Sequence, residues 1–120
     1  MTPRWVKSFY YAGSGLHRAF LSERHVKVHL VFGLLAAVLA VILDLSRTEW
    51  ILLLLTITMV LTLELVNSVL EDLVDLLEPR IHDRVKIIKD GAAAAVLLAA
   101  IAAAVIGILL FLPHVRDILW

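Results

Sequence analysis

Three long apolar runs, at residues 28–45, 50–70 and 91–112, take up about half of this 120-residue chain. Each approaches the ~20 residues that a helix needs to cross a hydrocarbon core. Inside a bilayer no water is available to the backbone, so a crossing segment must satisfy its own N–H and C=O groups, as an α-helix does. The chain is 62% hydrophobic, against roughly 45–50% for an average soluble domain, and its mean hydropathy is +0.95. These features predict an all-α membrane protein with three transmembrane helices in a single domain, residues 1–120. The short link at residues 44–49, DLSRTE, makes the first two spans an antiparallel pair. Residues 71–90 form a more polar connection, interrupted by Pro79. A membrane unit this small buries little surface alone, so an oligomer is expected.

The segment before the first span, residues 1–27, has a different pattern. Trp5, Phe9, Gly13, Leu16 and Phe20 recur at helical spacing, while Lys7, Tyr11, Ser14 and Arg18 fall mostly elsewhere around the turn. A basic amphipathic helix with aromatics suits a membrane surface, and packing against the other helices is compatible with that. No apolar core precedes a small-residue cleavage site, so this segment is read as part of the mature protein rather than as a signal peptide.

Basic residues set the orientation. Nine of the eleven Lys and Arg precede the first span or lie between the second and third, and only Arg47 and Arg116 lie at the other two ends. The positive-inside rule then puts the N-terminus and the second connection in the cytoplasm. With 11 basic and 11 acidic residues the chain carries no net charge, and no nucleic-acid partner is expected. The absence of cysteine excludes disulfides, thiol nucleophiles and thiolate metal sites.

Against this apolar background the stretch 64–75, ELVNSVLEDLVD, is anomalous. An ionised side chain at the bilayer centre costs roughly 2.5–3.5 kcal/mol on insertion scales. Glu64, Asn67, Glu71 and Asp75 are three or four residues apart, and at about 100° per residue they share one helix face. The assigned orientation puts this stripe at the cytoplasmic end of the second span. Glu23 lies at the same level before the first span, as do Lys89 and Asp90 before the third.

Simpler roles exist for most of these groups. Ser22 and Glu23 suit a helix start, Glu23 with Lys27 is an i,i+4 pair, Asp90 suits a helix cap, and Glu71 and Asp75 suit a solvated helix end. Glu64 has no such role, because TMVLTL precedes it and LV follows. His25 and His29 are spaced for a shared metal, but HVKVH lacks the glutamate of the zinc-protease helix, and the pair reads as headgroup-level polar residues.

Carboxylates at a cytoplasmic interface suit a hard cation such as Mg²⁺, which arrives with phosphates and needs one or two protein carboxylates. Arg80, Arg84, Lys86 and Lys89 supply positive charge for polyphosphate, and Glu64 can take a proton from a lipid hydroxyl. These groups describe phosphoryl transfer from a nucleotide to a lipid alcohol, although the sequence has neither a GxxxxGK[ST] loop nor the protein-kinase signatures.

Three blocks in order, LSERHVKVHL from Leu21, E64-L-V-N67-S68-V-L-E71-D-L-V-D75, and KDGAAAAVLLA from Lys89, resemble the prokaryotic integral-membrane diacylglycerol kinase family, which includes undecaprenol kinases. The resemblance extends through nearly the whole chain. It implies a homotrimer in the bacterial inner membrane, each subunit contributing an amphipathic surface helix and three spans, with composite sites at subunit boundaries near the cytoplasmic face. It further implies that Glu23 and Glu71 coordinate Mg²⁺ and that Glu64 is the catalytic base. Asn67, Lys89 and Asp90 would position nucleotide and metal, and Asp75 would support them. Tyr11, Lys7, Arg4 and His82 would touch the nucleotide. Val69 replaces the small residue usual after the serine or threonine, while His29 and the SER start resemble the undecaprenol-kinase branch. A small proton-coupled transporter using Glu64, or a non-catalytic membrane subunit, are the rival readings.

Overall fold

The computed structural model describes residues 1–80 and 82–120, which form four helices: α1 (Arg4–Ser22), α2 (Arg24–Ile42), α3 (Arg47–Leu77) and α4 (Asp83–Leu119). Helices α2, α3 and α4 are each long and apolar enough to cross a membrane. The helices outrun the apolar runs that announce them. α3 continues to Leu77 and α4 starts at Asp83, which shrinks the expected 71–90 connection to a short link around Pro79. Ile81, inside that link, lies outside the described residues. The apolar run marks hydrocarbon thickness, whereas a helix can continue into a hydrated interface with polar side chains.

Each turn has a local cause. Asp44 N–H bonds to Val41 C=O at 3.2 Å and Leu45 N–H to Ala40 C=O at 3.1 Å, which is the Schellman closure of α2. Asp44 takes the left-handed conformation this closure needs, with φ of 54°, and aspartate is among the few non-glycine residues that visit it routinely. Leu45, the next residue, is buried. Ser46 then caps α3: its Oγ accepts from Glu49 N–H at 3.2 Å, and Glu49 Oε2 accepts from Ser46 N–H at 2.8 Å. This reciprocal capping box starts α3 within a few residues of the end of α2.

Packing is concentrated at this end of the molecule. Ala40, Leu45, Leu53 and Leu110 form a buried cluster where the end of α2, the start of α3 and the end of α4 meet. Glu49 adds a polar tie beside it, with His114 Nε2 of α4 at 2.9 and 3.1 Å from its two carboxylate oxygens. Further along, α2 and α3 approach closely at Gly33, where a β-carbon would come within 2.9 Å of Ile57 Cγ2. Thr56, buried on α3, satisfies its hydroxyl on Leu52 C=O at 2.7 Å.

The chain covers little of its own apolar surface. It measures 57 × 47 × 21 Å, a slab too thin to enclose its helices. Between 17% and 28% of the residues in each apolar window are buried. α1 is strongly amphipathic, yet it buries only Ala19, and Trp5, Phe9 and Leu16 stay exposed. Within one chain the outer faces of the helices are therefore left for lipid or for other copies.

Three substitutions test this packing. His114→Ala removes the tie between α3 and α4 but leaves the capping box, whereas Glu49→Ala removes the tie and the bond that Glu49 Oε2 accepts from Ser46 N–H. Thermal unfolding in detergent should fall for the first and further for the second. Gly33→Val should destabilise by about 1–3 kcal/mol through overpacking against Ile57, read as a lower midpoint in the same assay.

Candidate active site

The polar stripe predicted on the second span lies on α3, and its residues differ sharply in environment. Glu64 is 4% exposed and Ser68 8%, whereas Glu71 and Asp75 are exposed on the last turns of the helix. A buried carboxylate needs a compensating partner, and α2 supplies it: His29 Nε2 lies 3.0 Å from Glu64 Oε1. Four residues further along α3, Ser68 Oγ donates to Glu23 Oε2 at 3.4 Å. Glu23 stands at the break between α1 and α2, where it is the N-cap of α2 without a side-chain capping bond. Its side chain is thus turned to α3 rather than used to start its own helix.

Asn67 Nδ2 donates to Glu71 Oε1 at 3.5 Å. Asn67 Oδ1 is buried and has no hydrogen-bond partner among the described residues. Such an orphaned acceptor is uncommon in a folded protein. His25, His29, Glu64, Asn67 and Glu71 line one side of a cavity of about 300 Å³, and α4 supplies the opposite wall from Ala93, Val96, Leu97 and Ala100. Small residues on α4 leave this space open. A second cavity of about 410 Å³, lined mainly by apolar residues of α2, α3 and α4, meets the first at His29 and Ala100 and reaches Phe111.

The start of α4 carries further charged pairs. Lys89 Nζ pairs with Asp75 Oδ1, bridging α3 and α4 across their hairpin. Asp90 pairs with Lys86 one turn earlier on its own helix. α4 begins at Asp83 with His82 as N-cap, so Asp90 lies two turns inside the helix and does not cap it. Arg80 pairs with Glu78.

Of the residues singled out in the sequence, Glu64, Asn67 and Glu71 share one cavity, Glu23 reaches their helix through Ser68, and Asp75 and Lys89 pair beside it. Arg4, Lys7 and Tyr11 are exposed on α1, and His82 is exposed at the start of α4, away from the cavity lining. No group of three His, Asp or Glu side chains is positioned to hold a metal by itself among the described residues. Two participants were missed. Ser68 lies inside the quoted motif at i+4 from Glu64, a spacing that could have found it. His29 was read as a headgroup-level residue, and only the pairing of α2 with α3 sets it against Glu64.

The sequence is similar to those of known proteins. Residues 10–111 match the family described as prokaryotic diacylglycerol kinase. A diacylglycerol kinase of Synechocystis is 39% identical over 120 residues, covering 99% of this chain and 69% of the relative. An undecaprenol kinase of Bacillus subtilis is 36% identical over 110 residues, covering 92% and 89%. A diacylglycerol kinase of Escherichia coli is 32% identical over 111 residues, covering 92% and 91%. The chain therefore belongs to the prokaryotic diacylglycerol kinase family, and is a membrane lipid kinase for which ATP is the phosphoryl donor.

Proposed function

We propose that the chain transfers the γ-phosphate of ATP to the hydroxyl of a diacylglycerol or of undecaprenol, at the cytoplasmic face of a bacterial inner membrane, with Glu64 as the base. The observation that carries this reading is the buried Glu64 carboxylate, which lines one cavity with Asn67 and Glu71, next to a more apolar cavity that meets it at His29 and Ala100. A lipid alcohol needs both: an apolar slot for its chain and a polar end for its hydroxyl and the phosphates. The Glu64 carboxylate takes the hydroxyl proton as the lipid oxygen bonds to the γ-phosphorus and the bond to the β–γ bridging oxygen breaks, releasing ADP.

Glu23 and Glu71 would hold Mg²⁺, with the orphaned Asn67 Oδ1 as a further oxygen donor. The fit is chemical: these are hard oxygen ligands, and Mg²⁺ accompanying phosphates needs few of them from the protein. When bound, the ion supplies charge neutralisation on the phosphates. Lys89, held by Asp75, brings a cation to the same end, and Asp90 lies beside it in sequence. Arg4, Lys7, Tyr11 and His82 contact the nucleotide in this reading.

Those four residues lie away from the chain's own cavity, and the spans leave most of their surface uncovered. Both facts support a homotrimer whose sites form between copies, with α1 on the membrane surface and residues 1–120 acting as one domain. The distribution of Lys and Arg supports a cytoplasmic N-terminus and site.

Purified protein in mixed micelles with radiolabelled ATP and Mg²⁺ should label diacylglycerol or undecaprenol. Glu64→Gln should reduce kcat by about 10²–10⁴-fold, the usual worth of a general base, while nucleotide binding persists. Glu71→Gln should instead raise the Mg²⁺ concentration needed for half-maximal rate, because a neutral amide is a poor magnesium ligand. Equal activity of wild type and Glu64→Gln on both lipids would overturn the assignment of the base.

A further inference from the structure

We propose that His29 is the positioning residue for the kinase base: it holds one oxygen of Glu64, so that the other faces the acceptor hydroxyl. This rests on the reading of Glu64 as the base. Glu64 is buried in an apolar helix, and among the described residues no other basic side chain lies within ion-pair distance of it. Without a partner its carboxylate would be free to rotate and costly to keep ionised. His29 Nε2, at 3.0 Å from Oε1, supplies that partner from a different helix.

The fold fixes the contact from both sides. Gly33 is one turn beyond His29 on α2, and Ile57 lies two turns before Glu64 on α3. At Gly33 the helices come so close that a β-carbon would meet Ile57 Cγ2. The imidazole is therefore held at a set distance from the carboxylate. His29 also lines both cavities, so its ring stands between the apolar cavity and the one that Glu64 lines. The other groups facing this space are His25 on α2 and Asn67 and Glu71 on α3, while α4 presents only Ala93, Val96, Leu97 and Ala100. Of these, His29 is the one within ion-pair distance of Glu64. An ionised Glu64 before transfer and a neutral one after it differ in their attraction to the ring, which makes the contact part of the reaction and not only of the fold.

The test compares His29→Leu, His29→Gln, Glu64→Gln and the His29→Leu/Glu64→Gln double variant of the full chain. Label transfer from ATP to diacylglycerol and to undecaprenol is measured beside thermal unfolding in detergent. His29→Leu should lower kcat about tenfold or more with the ATP KM within about twofold of wild type. His29→Gln, which returns an N–H donor near the position of Nε2, should recover most of the loss. Unfolding midpoints should be non-additive between positions 29 and 64. A kcat for His29→Leu within about twofold of wild type, a failure of His29→Gln to rescue, or additive midpoints would overturn the proposal. Wild type that labels neither lipid would instead overturn the kinase assignment of the site, and the unfolding cycle would still decide whether the two side chains are coupled.

Discussion

A polypeptide in hydrocarbon has to complete its own backbone hydrogen bonds, and most features of this molecule depend on that demand. It makes each of the three apolar runs a helix, whatever else the residues do. It leaves side chains as the only means by which one helix can recognise another. Here the recognition is uneven. At the end where α2 turns into α3, a Schellman closure, a capping box, a buried leucine cluster and the Glu49–His114 tie all coincide. At the other end α4 contributes alanines, a valine and a leucine, and a cavity is left between the helices.

This asymmetry suits a kinase that works at the edge of a membrane. The packed end holds the helices in register, while the carboxylates gather where there is room for phosphates and a lipid hydroxyl. Glu64 is the residue for which the arrangement matters most. It is buried in the apolar part of α3, yet within a few residues of Asn67 and Glu71 on the same face. Its pairing with His29 and the contact between Ser68 and Glu23 both join α2 to α3, so residues proposed for the chemistry also dock one helix on the other. A polar contact between helices in an apolar environment has few competing partners, which favours one register over its neighbours.

The three spans, the antiparallel first pair and the shared face of Glu64, Asn67, Glu71 and Asp75 were legible because each depends on residues close in sequence. Helix ends were less so. α3 outlasts its apolar run by seven residues, reaching Leu77, since hydropathy reports where the hydrocarbon ends and not where the backbone stops coiling. Asp90 resembled a cap by its place before an apolar run, but the helix had begun two turns earlier at Asp83. The partners of Ser68 and His29 were not legible, because neither spacing nor composition reveals what faces a residue across a helix pair.

The sequence by itself determined that this chain is helical and apolar enough to cross a membrane, which residues share the face of α3, and to which kinase family it belongs. These depend on the local rise and turn of a helix and on the order of short motifs. Only the tertiary structure decided that Glu64 meets His29, that Glu23 turns to Ser68 instead of capping its own helix, and that Lys89 is held by Asp75. Those pairings join residues 14 to 45 positions apart, and their partners are chosen by the crossing of helices and by the close approach at Gly33, which no periodicity along the chain encodes.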